Sequence, residues 1–221
     1  MSGGPAAAGG GGGGGGAGAG GYGKILSVSV LRWNSDTPEA VTLDAAYNLA
    51  DYSFFQKGSI KEFLSFAART VMRRIGPGVN AVDYEGNLVY CFVQQDGLGA
   101  IALTDKAYPA RVAVTMLKDL LAAFRAAHAA TWRAAVADGA CKFPRLEEAL
   151  REYQDPTKVD KIMKLNVQLA ETKEMLHKTI DKVLERGEKL DDLVEKSSAL
   201  SQQSKLFYKQ AKKTNACCAV M

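Results

Sequence analysis

The sequence lacks any run of about 18 or more apolar residues, the length that an α-helix needs to cross a bilayer. Its first 23 residues have neither the basic start nor the apolar stretch of a secretory signal. Histidine is scarce, with two residues, and no nucleophile elbow, phosphate-binding loop or metal-ligand spacing occurs. We therefore expect neither a membrane-spanning nor a secreted protein, and no enzyme, metal site, dissociable cofactor or nucleic-acid partner.

Glycine and cysteine are unevenly distributed. Fourteen of the 22 glycines fall within residues 1–23, which predicts a disordered low-complexity tail. Four cysteines without a secretory signal predict reduced thiols rather than a disulfide framework. Cys91 and Cys141 stand alone among apolar or mixed neighbours, as buried or incidental thiols do, whereas Cys217 and Cys218 are adjacent.

Residues 24–140 have the pattern of a folded domain, and a short helix and linker follow in residues 141–156. A capping box of Ser59 and Glu62 predicts the start of a helix that continues to Val71, and a second helix follows Pro109. Strand-like alternation occurs in residues 25–33, 41–47, 79–84, 88–93 and 100–103. The Ala-rich residues 129–145 fit no clear pattern. We expect an α+β domain with an antiparallel five-stranded sheet and helices packed on it.

The pattern changes to a heptad repeat in residues 157–216. Sixteen successive positions from Ile162 to Thr214 alternate spacings of three and four residues, which predicts a long coiled-coil helix. The large apolar positions of this seam are Ile162, Leu165, Leu169, Leu176, Val183, Leu190, Leu193, Leu200 and Phe207. Because one helix cannot bury its own seam, we expect the segment to be weakly ordered alone and helical with partners.

Arg186 is the charged member of the seam and lies between Val183 and Leu190. A guanidinium in that position needs acceptors for its five donors, so the seam predicts a polar layer from partner helices that fixes the register. Two other interpretations stay open. The arginine is exposed in an ordinary coiled coil, or the helix lies on the first domain.

Residues 217–221 form a lipidation motif. Cys218-Ala-Val-Met221 fits the prenylation signal, and a terminal methionine favours farnesyl. One lipid chain anchors a protein only marginally, so adjacent Cys217 is a candidate for reversible palmitoylation. No acidic residue follows Glu195. A lysine patch near the end of the sequence favours an anionic membrane and consists of Lys205, Lys209, Lys212 and Lys213. These features predict a reversible membrane anchor.

Several stretches resemble the prenylated longin R-SNAREs of the Ykt type, within the synaptobrevin-like family. The resemblance is strongest in residues 183–193 with Arg-Gly-Glu-Lys-Leu, in residues 207–213, and in the final Cys-Cys-Ala-Val-Met. Support from the first domain comes from residues 51–56, 59–66 and 104–109. The glycine-rich tail and residues 129–145 depart from the family pattern.

The resemblance implies a profilin-like longin domain followed by an R-SNARE helix. That helix would join three glutamine-donating Q-SNARE helices in a parallel four-helix bundle that drives fusion of vesicle membranes. Arg186 then matches the central ionic layer, Cys218 the farnesylated cysteine and Cys217 the palmitoylated one. The resemblance also implies a closed form, in which the longin domain folds back on the chain's own SNARE segment and shelters the lipid. Such a protein would exchange between the cytoplasm and the cytoplasmic face of endomembranes such as Golgi, ER, endosome or vacuole.

Four aromatic residues, Phe54, Phe55, Phe63 and Phe66, are candidates for the autoinhibitory groove, and plain core packing is an equal alternative. The competing function is a prenylated coiled-coil tether or adaptor that binds membranes without driving fusion. The two functions differ at Arg186, which a fusion bundle uses and a tether does not need.

Overall fold

The computed structural model describes residues 23–34, 39–84, 86–159 and 175–218. The strands are β1 (Ile25–Arg32), β2 (Val41–Tyr47), β3 (Gly78–Tyr84), β4 (Asn87–Val93), β5 (Leu98–Asp105) and β6 (Leu176–Thr179). The helices are α1 (Phe54–Met72), α2 (Ala110–Ala127), α3 (Arg145–Glu152), α4 (Ile180–Val183), α5 (Leu190–Lys196) and α6 (Gln202–Cys218).

The strands form one sheet in the order β2-β1-β5-β4-β3-β6. The first five strands are the predicted ones, and their neighbours are antiparallel. Strand β6 comes from the heptad segment and pairs with β3 in parallel. The predicted mixed fold with a longin-like sheet is confirmed, and the chain's own C-terminal segment extends that sheet by one strand.

Helices cover both faces of the sheet. One face packs against α2 and α3 and includes Val28 and Val30, whereas the other packs against α1 and the heptad segment. Strict alternation along β1 would place Leu26 on the same face as Val28 and Val30, but it packs on the α1 side. The reason is a shift of the β1–β5 register between Ile25 and Ser27, which breaks the two-residue alternation.

Helix α1 begins five residues before the predicted capping box. The backbone N–H of Ser53 donates to the Gln56 side-chain oxygen at 3.2 Å, and the Ser53 hydroxyl donates to the same oxygen at 2.8 Å. This Ser-x-x-Gln pair therefore caps the helix, whereas Ser59 is buried inside it. The earlier start places Phe54 and Phe55 in the first turn of α1.

The unassigned residues 129–145 protect the free edge of β2. The backbone N–H groups of Gly139 and Cys141 donate to the carbonyls of Thr42 and Leu43 at 2.9 and 3.2 Å. Asp138 accepts a hydrogen bond from the Thr42 N–H at 3.0 Å. An edge strand exposes unpaired backbone groups, so this loop satisfies them without adding a strand. Helix α3 packs into the same core through Leu146, Ala149 and Leu150, so the folded unit continues past the boundary predicted at residue 140.

The turn between β4 and β5 requires glycine. Gly97 has a φ of +81°, and a Cβ atom at this position would lie 2.0 Å from the carbonyl oxygen of Trp33. The Trp33 N–H donates to the Gly97 carbonyl at 2.9 Å, which holds the two loops together.

The described part of the heptad segment is not one continuous helix in this conformation. It consists of the short strand β6, the single turn α4, and helices α5 and α6. The physical reason is that one helix cannot bury its own apolar seam. Without partner helices, short pieces of the segment pack separately on the domain, and their apolar side chains are buried there.

Candidate functional site

The site is the groove beside α1 and β3 that holds the heptad segment. Strand β6 pairs with β3 from Asn80 with Leu176 to Asp83 with Thr179. The chain then crosses to α1, and α6 runs back along that helix. Backbone pairing therefore fixes residues 176–179, and side-chain packing fixes the described residues that follow.

Aromatic packing between Phe63 and Tyr208 lies at the centre of the groove. The ring of Phe63 stacks on the ring of Tyr208 with centroids 5.3 Å apart, and it meets the edge of Tyr84 at 6.0 Å. Phe66 is half-buried and packs with the same cluster. Both residues were predicted for the groove, and both face the heptad segment in the structure.

Phe54 and Phe55 lie outside the groove, contrary to their predicted place in it. Their exposed fractions are 84% and 81%. The first turn of α1 is exposed throughout residues 54–58, and the buried face of the helix begins at Ser59. Neither Phe54 nor Phe55 belongs to the apolar cluster around Phe63.

The predicted seam residues differ in how deeply they are buried in the groove. Val183, Leu190 and Leu200 are buried in the groove, and Leu193 and Phe207 are partly buried against the same cluster. Leu176 is 56% exposed in β6. The other three predicted positions, Ile162, Leu165 and Leu169, lie outside the described residues.

The groove also buries apolar residues that heptad spacing alone did not identify. These are Ile180, Leu184, Val194 and Tyr208. Each is apolar or aromatic but lies off the seam. Apolar residues off the seam were the sequence signal that the segment packs against a second surface. The groove and a coiled coil therefore bury overlapping but different faces of the segment.

An ion pair joins Arg74, two residues after the end of α1, to Glu188, two residues after Arg186. The Arg74 guanidinium donates to both carboxylate oxygens of Glu188 at 3.1 to 3.2 Å. Burial opposes the charged form of Glu188, but the Glu185 N–H and Arg74 outweigh it and lower the pKa of this carboxyl. Arg186 itself is exposed in the turn between α4 and α5, so this conformation does not bury the predicted layer residue.

Glu62 binds the beginning of α6 through hydrogen bonds. Its carboxylate accepts the Ser201 N–H at 2.9 Å and the Ser204 hydroxyl at 2.6 Å. Partial burial would raise its pKa, but these hydrogen bonds prevail and hold the pKa of Glu62 below its ordinary range. The residue that was predicted to cap α1 therefore binds the heptad segment instead.

Two lysines of the patch, Lys209 and Lys212, are paired with carboxylates of α5 in this conformation. Lys212 contacts Asp191 at 2.7 Å, and Lys209 contacts Glu195 at 2.7 Å. Hydrogen bonds from Lys212 and then from Tyr208 lower the pKa of Asp191. Although no acid follows Glu195 in the sequence, folding brings α5 carboxylates to the lysines of α6.

The four cysteines fall into two groups. Cys91 and Cys141 are buried free thiols, and burial strongly raises the pKa of Cys91. Helix α6 extends to Cys218, so the backbone at Cys217 and Cys218 continues the helix that lies along α1. The described segments include no helix long and apolar enough to cross a membrane. Among the same residues, no cluster of His, Cys, Asp and Glu is suited to hold a metal ion.

Comparisons with known proteins agree with this architecture. A family model described as Regulated-SNARE-like domain, or longin, matches residues 49–150, and the synaptobrevin model matches residues 161–219. The synaptobrevin homologue YKT6 of Yarrowia lipolytica is 45% identical over 204 residues, covering 90% of this chain and 100% of that protein. The VAMP-like protein YKT61 of Arabidopsis thaliana is 43% identical over 199 residues, again covering 90% of this chain and 100% of the relative.

The synaptobrevin homologue YKT6 of Saccharomyces cerevisiae is 41% identical over 201 residues, with the same coverage of 90% and 100%. Proteins of this family are SNAREs, which act in vesicle trafficking and are not enzymes. The chain belongs to the YKT6-type longin SNARE family, within the synaptobrevins, and has an R-SNARE role in vesicle trafficking.

Proposed function

We propose that the chain is a lipid-anchored R-SNARE whose longin domain inhibits it by holding the SNARE segment in the groove. The supporting observation is that Val183, Leu190 and Leu200 are seam positions and are buried against the longin domain. One side chain cannot pack in this groove and in a four-helix bundle at the same time. Groove binding and bundle assembly therefore compete for the same residues.

In the active state, residues 157–216 form one helix beside three Q-SNARE helices in a parallel bundle. Arg186 provides the central ionic layer, where glutamine side chains accept its hydrogen bonds. Its exposure in the closed conformation supports this assignment, because the closed form keeps the charge hydrated until the partners that satisfy it are present.

Assembly kinetics test the competition. Phe63→Ala removes the ring that stacks on Tyr208, so we expect it to speed assembly of the full chain with three Q-SNARE helices in solution. Phe54→Ala is the matched control, because it removes an equal ring from the same helix outside the groove. Equal rates for both variants and the unchanged chain would refute inhibition by the groove. Failure to assemble with any Q-SNARE set would instead favour the tether or adaptor function.

The anchor that we propose consists of farnesyl on Cys218, reversible palmitoyl on Cys217, and the lysine patch. In the closed form, Lys209 and Lys212 are paired with carboxylates of α5, so the patch attracts anionic lipid more strongly after the segment is released. This anchor lets the protein exchange between the cytoplasm and endomembranes such as Golgi, ER, endosome or vacuole.

Cell fractionation tests the two lipids separately. Cys218→Ser should move the protein to the cytosol, because farnesylation creates the first hold on the membrane. Cys217→Ser should leave a protein that cycles between membrane and cytosol, since one chain anchors marginally. Unchanged membrane association of Cys218→Ser would disprove the farnesyl assignment.

A further inference from the structure

A reverse turn separates α4 from α5 at the point where the heptad seam carries its charge. The Glu188 N–H donates to the Glu185 carbonyl at 2.9 Å, which closes a turn with Gly187 at its third position. The Glu188 carboxylate also accepts the Glu185 N–H at 3.0 Å, so two hydrogen bonds hold the turn. Leu184 and Lys189, on either side, have extended backbones. The helical path of the segment is therefore interrupted here.

The third position of this turn needs a residue that tolerates a positive φ. Gly187 has a φ of +92°, which residues with a side chain rarely adopt. A type II turn has a positive φ at its third residue and favours glycine there. Apart from the neighbouring residues, no atom of the described chain lies within 4 Å of the place that a Cβ atom would occupy. The requirement therefore comes from the backbone angle and not from crowding.

The turn lets the groove hold the seam without burying Arg186. In a continuous helix, Val183, Arg186 and Leu190 would lie within about 60° of one another around the axis. A helix that packed Val183 and Leu190 on the longin domain would therefore carry the guanidinium into the same apolar cluster, where an unpaired charge is costly. In the structure both apolar residues are buried and Arg186 is exposed. The break at Gly187 thus separates the charged seam residue from its apolar neighbours.

The assembled bundle needs the opposite conformation at the same residue. Residues 157–216 form one helix there, so Gly187 must take right-handed helical angles, and Arg186 returns to the seam. In a helix interior, glycine is roughly fivefold less favourable than alanine. Gly187 is the only glycine in residues 157–216. Glycine at this position therefore favours the turn and disfavours the helix.

We propose that Gly187 is the conformational hinge of the SNARE segment, which forms a reverse turn in the closed chain and a helix in the bundle, and which biases the isolated chain toward the closed form. The inference rests on the proposed function, because the helical state is that of a bundle with Q-SNARE helices. The switch is then a change of backbone angles at one residue beside the ionic layer. Since Arg74 binds the turn through Glu188, straightening of the turn and loss of this ion pair are coupled.

Alanine of either hand at position 187 tests the hinge with the same side chain. Hydrogen exchange of the amides at residues 176–179 reports the closed form of the full chain without Q-SNAREs. Gly187→Ala should lower their protection factors roughly fivefold, because an L-residue is strained at this φ. Gly187→D-Ala, introduced on a synthetic peptide ligated to the rest of the chain, should raise them roughly two- to fivefold, because a D-residue prefers positive φ and restricts the open chain.

Gly139→Ala is the matched control. Gly139 has a φ of +70°, but it lies in the loop that covers the β2 edge, at the opposite side of the sheet from β6. This variant should change the protection factors at residues 176–179 by less than about twofold, because it leaves the contacts of the segment in place. Changes of the same sign for the two alanines at position 187, or an equal effect of Gly139→Ala, would overturn the hinge.

Assembly with three Q-SNARE helices gives a second measurement on the same full chains. Gly187→Ala should assemble faster than the unchanged chain, and Gly187→D-Ala should assemble more slowly, because a D-residue opposes the right-handed helix. Slower assembly of Gly187→Ala would contradict the hinge. If no Q-SNARE set assembles, the proposed function fails while the exchange results still decide the hinge. If Phe63→Ala speeds assembly but Gly187→Ala leaves exchange unchanged, the hinge fails and inhibition by the groove stands.

Discussion

Breaking the ion pair between Arg74 and Glu188 should release the SNARE segment from the longin domain. The side chains are 11% and 28% exposed, and the guanidinium reaches both carboxylate oxygens. Such a pair lies between exposed ion pairs and well-buried charged hydrogen bonds, so we assign it about 1–2 kcal/mol. Loss of that free energy raises the open population roughly 5- to 30-fold.

Hydrogen exchange of the backbone amides in residues 176–179 measures this opening, since β6 pairs with β3 only in the closed form. Arg74→Gln and Glu188→Gln should each speed exchange by the same factor, and the double variant should add little, because either change removes the same contact. Arg145→Gln is the matched control, as it breaks an ion pair with Glu152 inside α3. If Arg145→Gln opened the chain equally, or if the two single effects were additive, the contact between Arg74 and Glu188 would not hold the segment closed.

Two further predictions concern acid and the β4–β5 turn. Glu62 and Asp191 have lowered pKa values in the closed form, so that form binds fewer protons than the open one. Its stabilisation is complete above their ordinary values of 4.5 and 3.8 and is lost as the pH falls through the lowered values. The protection factors of the amides at residues 176–179, which compare their exchange with that of unstructured amides at the same pH, should therefore fall in acid; constant protection factors would contradict this prediction. Gly97→Ala should destabilise the fold by several kcal/mol, about 3 or more, because its Cβ would overlap the Trp33 carbonyl. Gly86→Ala, also at positive φ but in open space, should cost about 1 kcal/mol, and similar melting temperatures for both variants would refute the steric reason.

The strands and the core face of α1 could be predicted from the sequence because local pattern and tertiary packing agree there. Ile60, Leu64 and Val71 are buried at the expected helical spacing. The start of α1 was mispredicted because two cap-like patterns compete, and only the structure shows that Ser59 is buried while Ser53 caps the helix.

The groove was less accessible to sequence reasoning. Heptad spacing records the face that a helix offers to partner helices, whereas the strand conformation of residues 176–179 comes from pairing with β3, about 100 residues earlier in the chain. The contact between Arg74 and Glu188 likewise joins distant residues without a shared motif. Phe63 could be assigned to the groove by its apolar character, but the same character misassigned Phe54.

The parallel pairing of β6 with β3 has a consequence for the open molecule. When the SNARE segment leaves, the outer backbone groups of β3 lose their partner over residues 80–83. A bare sheet edge is a template for any extended chain, including another copy of the same protein. The opposite edge, at β2, keeps its loop in either state. An opened molecule that meets no bundle partner is thus the form most prone to self-association, and refolding of the segment onto β3 acts as an intramolecular chaperone.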